Sequence, residues 1–138
     1  MAESSKHLDL VQRILAYIRK NYSGVRQVAI LHDLPGLVGC DKPPQIGAFR
    51  PDVYAIDAPI TRTIVGEAKT GLDLEANHSK DQFTAFFRYL RLQRKPTLIV
   101  SVPWQAKVTA QLILQSLRNR TEANIVKVVV IDDVEDFT

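Results

Sequence analysis

The hydrophobic pattern has a helical period in three parts of the chain. The first part runs from Ser4 or Ser5 to about Tyr22, the second from about Glu75 to Leu92, and the third from Gln105 to about Arg118. The residues predicted to be buried are Leu8, Val11, Leu15, Ile18 and Tyr22 in the first helix, Phe83, Phe86, Phe87 and Leu90 in the second, and Val108, Leu112 and Leu117 in the third.

Segments rich in β-branched and aromatic residues separate these helices and predict strands. They are Val25 to Leu34, Arg50 to Asp57, Thr61 to Thr70, Pro96 to Trp104 and Asn124 to Ile131. The resulting order is α-β-β-β-α-β-α-β. A hairpin followed by helical crossovers predicts one α/β domain over residues 1–138, with a mixed central sheet and helices on both faces.

Two segments show no periodicity. Residues 33–50 contain three glycines and three prolines, and so long a loop in a compact domain is usually functional or disordered. Residues 132–138 contain four acidic residues and no basic one, which predicts a loose acidic tail.

The predicted hairpin carries the candidate chemistry. If Asp57 pairs with Arg62, then Asp52 lies opposite Glu67, and Lys69 follows on the same face as Glu67. Facing carboxylates repel each other, and a divalent cation such as Mg²⁺ would relieve that repulsion. A lysine beside the metal could help activate water and offset charge on a phosphate.

This constellation resembles a known signature. Pro51-Asp52, followed fifteen positions later by Glu67-Ala68-Lys69, is similar to the PD-(D/E)xK motif of the restriction-endonuclease-like nucleases. The resemblance implies that fold and a phosphodiesterase dependent on Mg²⁺ (or Mn²⁺) that acts on DNA or RNA. It also implies Asp52, Glu67 and the Ala68 carbonyl as metal ligands, with Lys69 as the catalytic lysine.

The resemblance extends to the neighbouring helices. It implies a polar residue that points at the site from the helix after the hairpin, where Gln82 matches best and His78 could contact phosphate or water. It also implies an acid on the first helix. Glu3 is a weak candidate for that acid because it precedes the helix, and Asp9 projects away from the apolar stripe.

Basic residues are concentrated in one part of the chain. The net charge is +3, yet the stretch from Lys80 to Arg120 holds eight basic residues and a single acid. Such an excess favours a polyanionic partner, here DNA, although a solvated basic face is an equally good interpretation of charge alone. The candidate nucleic-acid contacts are Arg50 beside the metal acid, His78, and the helix row of Lys80, Arg88 and Arg91.

Other features limit the possible classes of protein. The sequence has no apolar run of the roughly 20 residues needed for a membrane span and no signal-peptide core, so no membrane association is expected. A single cysteine, Cys40, cannot form an internal disulfide, which fits a cytoplasmic location. The three histidines lack ligand spacing, and Trp104 is expected to pack at a helix end or in the core rather than stack on a base.

The small size resembles the Holliday-junction-resolvase branch, which implies a homodimer that reads the shape and backbone of branched DNA in repair or recombination. A restriction-type or other repair nuclease is an alternative within this class. Outside it, the chain could be an inactive nucleic-acid- or protein-binding module with the same fold. It could also be an unrelated α/β enzyme, which a wide separation of Asp52 and Glu67 would support.

Overall fold

The computed structural model describes residues 4–22, 28–34, 41–57 and 61–135. Its helices are α1 (Ser5–Tyr22), α2 (Gly71–Leu74), α3 (Asn77–Leu90) and α4 (Lys107–Arg120), and a 3-10 turn (Trp104–Ala106) precedes α4. Its strands are β1 (Val28–His32), β2 (Val53–Asp57), β3 (Arg62–Ala68), β4 (Pro96–Val102) and β5 (Lys127–Asp132). The predicted order of elements is confirmed, and the short helix α2 and the 3-10 turn are additions to it.

The described strands form one five-stranded sheet in the order β1-β2-β3-β4-β5. The pairs β1–β2 and β2–β3 are antiparallel, whereas β3–β4 and β4–β5 are parallel. The parallel pairs are joined by crossovers that contain α3 and α4, as parallel neighbours require. The chain is therefore a single α/β domain with a mixed sheet, as predicted.

Helices cover both faces of the sheet. On one face, α1 packs against side chains such as Val53, Ile64 and Ile99. On the other face, α3 and α4 pack against Tyr54, Val65, Leu98 and their neighbours. Successive strand residues point to opposite faces, so β2, β3 and β4 supply both cores. Within the described ranges, no helix is both long and apolar enough to span a membrane.

The buried face of α1 is shifted from the predicted stripe. Its buried residues are Leu10, Val11, Ile14, Leu15 and Ile18, whereas the predicted Leu8 and Tyr22 are partly buried. The helix crosses the central strands, so its contact surface is broader than a single line of residues. Gly66 in β3 permits this approach, because a Cβ there would lie 2.8 Å from Ile14 Cγ2.

The prediction for α4 was wrong at two of three positions. Leu117 is buried, together with Ala110 and Leu114, but Val108 is 66% exposed and Leu112 is 63% exposed. Apolar residues lie on both sides of this helix, and contacts with α3 and the sheet select the other side as the inner one. Of the two positions expected for Trp104, the core is excluded because 57% of its surface is exposed, and the residue lies at a helix end, in the 3-10 turn before α4.

Part of the predicted loop at residues 33–50 is packed. Residues 35–40 lie outside the described residues, but the following segment folds back on α3. Ile46 is buried, and Ile46 and Phe49 exchange two backbone hydrogen bonds. Gly47 between them has a φ of +61°, a conformation that glycine adopts without a Cβ penalty. This turn therefore holds the chain in place just before Asp52.

The prediction of a loose acidic tail was wrong for residues 132–135. Asp132 is the last residue of β5, and its Oδ1 accepts the N–H groups of Val134 and Glu135 at 2.9 and 3.0 Å. Asp133 accepts hydrogen bonds from the Lys6 ammonium and the Trp104 N–H. These acids therefore fix the strand end to distant elements, whereas residues 136–138 lie outside the described residues.

The Asp132 contacts predict a pH-dependent contribution to stability. Burial alone would raise the pKa of Asp132, but the N–H groups of Val134 and Glu135 and the Lys107 ammonium outweigh it and lower the pKa below the ordinary 3.8. A lowered folded-state pKa stabilises the fold above the unfolded-state pKa, and this stabilisation disappears as the pH falls through the folded-state value. We expect Asp132→Ala to cost about 1 kcal/mol at neutral pH and much less in strong acid.

Urea unfolding of the wild type and of Asp132→Ala, from neutral pH to strong acid, measures this difference in the free energy of unfolding. Asp81→Ala, at an exposed acid of α3, is the matched control and should show no such trend. A cost for Asp132→Ala that is constant with pH would contradict the assignment.

Candidate metal and nucleic-acid site

The β2–β3 hairpin brings two carboxylates together where β3 ends. The register pairs Asp57 with Arg62 and Val53 with Gly66, so the next pair beyond the ladder is Asp52 with Glu67, as predicted. The Asp52 N–H donates to Glu67 Oε1 at 3.1 Å, and the Ala68 N–H donates to Asp52 Oδ2 at 2.9 Å. The acids are in contact, so the structure gives no support to the interpretation in which they lie far apart.

The two carboxyl groups have opposite electrostatic environments. Burial, followed by the negative charge of Asp52, raises the pKa of Glu67 well above its usual range. Burial also acts on Asp52, but hydrogen bonds from His7, Glu67 and the Ala68 N–H outweigh it and lower the pKa of Asp52. The pKa values of the two neighbouring acids are therefore pushed apart, with that of Glu67 the higher.

Lys69 lies beside Glu67 in the interior. Its Nζ is 3.5 Å from Glu67 Oε2 and donates a hydrogen bond to Gln82 Oε1 on α3. Its backbone N–H donates to Ser101 O in β4 at 3.0 Å, which fixes the strand at this point. The structure therefore brings together four of the predicted side chains, those of Asp52, Glu67, Lys69 and Gln82, with the Ala68 backbone beside them.

A fifth residue, His7, was missed by the sequence analysis. Its Nε2 lies 3.3 Å from Asp52 Oδ1, and its backbone N–H donates to Ser4 Oγ at the start of α1. The helical spacing contained the signal, because His7 precedes Leu10 and Val11 by three and four residues and so shares their inward face.

The acids considered for α1 do not occupy this position. Glu3 lies outside the described residues. Asp9 pairs with Arg13 at 3.2 Å on the outer side of the helix.

The carboxylates of Asp52 and Glu67 supply oxygen ligands that suit a hard divalent cation. Among the residues described, no group of three or more histidine, cysteine, aspartate or glutamate side chains is arranged to hold a metal. Two carboxylates, with water and substrate oxygens completing the shell, are the usual way to hold Mg²⁺. The Lys69 N–H points toward β4, so the backbone polar groups of Ala68 point the other way, toward Asp52. A cation there would offset the repulsion between the two carboxylates.

The predicted basic contacts lie at different distances from this site. Arg50 and His78 are exposed near it, and the His78 ring packs edge-on against Phe49 with the centroids 5.4 Å apart. Lys80 and Arg88 are exposed along α3. Arg91 follows the end of α3 and donates to Thr121 O at 2.8 Å, so the structure places it away from Lys69.

Comparison with protein-family models, with curated proteins and with solved structures finds no significant match to this chain.

Proposed function

We propose that this protein is a Mg²⁺-dependent endonuclease of the restriction-endonuclease-like fold that hydrolyses phosphodiester bonds of DNA. One observation carries the proposal. Asp52 and Glu67 face each other where β3 ends, and a buried lysine, Lys69, lies beside them. Burying two acids that face each other destabilises a fold. A bound cation would bind the two carboxylates, and an anionic substrate would bind the lysine.

Asp52, Glu67 and the Ala68 carbonyl would hold the metal. When bound, Mg²⁺ or Mn²⁺ supplies an activated water and neutralises charge on the phosphate. The chain itself supplies a positive charge through Lys69, whose position is set by Gln82 and Glu67. An ammonium held at a fixed point stabilises negative charge that develops on a phosphate without reorganising.

The surroundings favour recognition of a phosphate backbone. Arg50 and His78 lie on the exposed side of the site. Lys80 and Arg88 add exposed basic residues on α3, and Lys80 borders α4 rather than the acids. Contacts of this kind position a duplex without reading its sequence. We infer a structure-specific preference for branched or junction DNA, and a homodimer remains the expected state.

Cleavage of labelled duplex, single-stranded and four-way-junction DNA tests the proposal. Each substrate is incubated with Mg²⁺, Mn²⁺ or EDTA, using the wild type, Asp52→Ala and Asp9→Ala. We expect metal-dependent cutting by the wild type and by Asp9→Ala, whose change lies on the outer side of α1. Cutting should be lost in Asp52→Ala. A preference for the four-way junction would favour the Holliday-junction-resolvase branch over a restriction-type or other repair nuclease.

A specific observation favours a second candidate, a binding module without turnover. Both oxygens of Asp52 already have partners within the protein, His7 and the Ala68 N–H. An acid pair satisfied in this way could be purely structural. A folded wild type that binds DNA but cuts none of the substrates would support this candidate and overturn the nuclease.

The His7 contact predicts a role in holding the metal ligand. Groups that orient a metal-bound carboxylate typically change metal affinity or activity by 10- to 100-fold when removed. We expect His7→Ala to weaken Mn²⁺ binding about tenfold, because Asp52 loses the partner of its Oδ1. Titration calorimetry measures the affinity directly.

His78→Ala is the matched control, since His78 contacts Phe49 and not the acids. Equal Mn²⁺ affinity in the wild type and His7→Ala would show that His7 does not position Asp52.

A further inference from the structure

Four exposed basic residues meet at the end of the sheet where β4 begins. Arg91, Arg94 and Lys95 lie in the turn between α3 and β4, and Arg120 is the last residue of α4. Arg91 donates a hydrogen bond to Thr121 O at 2.8 Å, so the ends of α3 and α4 are in contact there. The four basic residues are named here the basic corner.

The positive charge of the basic corner is not neutralised by the chain itself. In the parts of the chain that the structure describes, none of its four side chains forms an ion pair with an acid. The exposed acid next to it is Glu122, so four basic residues and one acid leave an excess of three positive charges. At the other end of the sheet, by contrast, Lys6 pairs with Asp133 and Lys107 with Asp132. Because like charges repel, an anion from outside the chain would stabilise the corner.

The backbone of Lys95 supports a role for its charge. Its φ is +42°, in the left-handed region that favours glycine. The side chain is exposed, so it buries no surface that would offset this strain. Residues held in such conformations cluster at functional sites, where an outside contact gives the side chain its use.

The basic corner is far from the candidate metal site. Lys95 precedes Ser101 by six residues of β4, and Ser101 O accepts the Lys69 N–H. Six residues of a strand span about 20 Å. A phosphate group bound at Lys69 therefore cannot contact Lys95, and the corner must take a different set of anionic groups.

The side chains of the corner favour one class of anion. Three of the four are arginines, whose planar guanidinium group matches two oxygens of a phosphate. A membrane surface would take up several apolar side chains, but the turn from Arg91 to Lys95 offers one, Leu92, which is 77% exposed. The phosphates of a nucleic acid follow one another closely along its backbone, so neighbouring basic residues can each contact one.

We propose that the basic corner binds a second segment of nucleic acid through its phosphate backbone, at the end of the sheet opposite to Asp52 and Glu67. The inference goes beyond the proposed cleavage, because a chain that cuts no DNA would still bind at this surface. One chain with both surfaces would hold two segments of nucleic acid at opposite ends of its sheet.

Fluorescence anisotropy of a short labelled DNA duplex, in EDTA and over a range of salt concentrations, tests the proposal. We expect Lys95→Gln to raise the dissociation constant about five- to tenfold at low salt. The slope of log affinity against log salt should become shallower by about 0.9, because one phosphate contact is lost.

Lys127→Gln is the matched control for this measurement. Lys127 is also an exposed lysine at the start of a strand, but it shares the face of β5 on which Val129 packs toward α1. Its affinity for the duplex should equal that of the wild type. A loss in Lys127→Gln as large as that in Lys95→Gln would overturn the assignment to the corner.

Lys95→Gly is a second variant whose fold is protected, because glycine adopts a φ of +42° without strain. Its melting temperature should not fall below that of the wild type, yet its affinity for the duplex should decrease as in Lys95→Gln. Wild-type affinity in both Lys95 variants would overturn the proposal.

Backbone amide chemical shifts locate the bound duplex without any variant. In EDTA, we expect the duplex to shift the amide signals of residues 91–95 and of Thr121. Shifts restricted to residues 66–70 would overturn the second surface while leaving the proposed cleavage site in place. Binding of phosphatidylserine vesicles by a chain that binds no duplex would instead assign the corner to a lipid surface.

Discussion

Replacing Lys69 with methionine should lower the single-turnover rate of DNA cleavage about 100- to 1,000-fold at saturating Mg²⁺. Methionine keeps an unbranched apolar stem that is one atom shorter than lysine, but the charge beside Glu67 and the hydrogen bond to Gln82 are lost. Asp52 and Glu67 remain, so calorimetry should still detect metal binding. The expected pattern is a folded, metal-binding protein that cuts very slowly.

Lys127→Met is the control for this experiment, because Lys127 is an exposed lysine at the start of β5, at the end of the sheet away from the acids. Its cleavage rate should stay within a few-fold of the wild-type rate. If Lys69→Met also cuts at nearly the wild-type rate, the buried ammonium has no part in the reaction, and the proposed chemistry is wrong.

Gly66→Ala should destabilise the fold by about 2 kcal/mol, because the new methyl group overpacks the contact between β3 and α1. A Cβ at this position would lie 2.8 Å from Ile14 Cγ2 and 3.1 Å from Val53 Cβ. Ile14 is β-branched, so it can turn away only by leaving its preferred rotamer. Urea unfolding monitored by circular dichroism measures the loss.

A double-mutant cycle identifies the cause of the loss. Ile14→Ala alone should cost about 2 to 5 kcal/mol through the cavity it leaves. The double variant should be more stable than the two separate losses predict, by at least about 1 kcal/mol, because the new methyl group enters the cavity. Gly71→Ala is the control, since a Cβ there meets no atom within 4 Å. Strict additivity would show that Gly66 is not constrained by Ile14.

The order of elements was predictable because local periodicity determines most of it. The spacing of Leu10, Val11, Ile14 and Ile18 suits one helix face, and the segments around Asp52 and Glu67 suit paired strands. The prediction for α4 failed because apolar residues lie on both sides of that helix. Periodicity shows that a stripe exists, but only packing against α3 and the sheet decides which side is inner.

The hairpin part of the site was also predictable, since register follows from the turn. Contacts between elements that are distant in the chain could not be predicted from the sequence. His7 lies 45 residues before Asp52, and Lys6 lies 127 residues before its partner Asp133. The acidic tail was misjudged for this reason, because the bases that hold it come from α1 and α4. A search for polar residues on the buried face of α1 would have found His7.

The hydrogen bond from the Lys69 backbone to Ser101 has a consequence for synthesis of the chain on the ribosome. The proposed site draws on α1, β2, β3 and α3, but β3 is held at Lys69 by a strand made later. Until the segment around Ser101 has emerged and paired, the nascent chain lacks the support that fixes Lys69 beside Glu67. The proposed nuclease should therefore acquire its activity only after the segment around Ser101 has left the ribosome and its RNA.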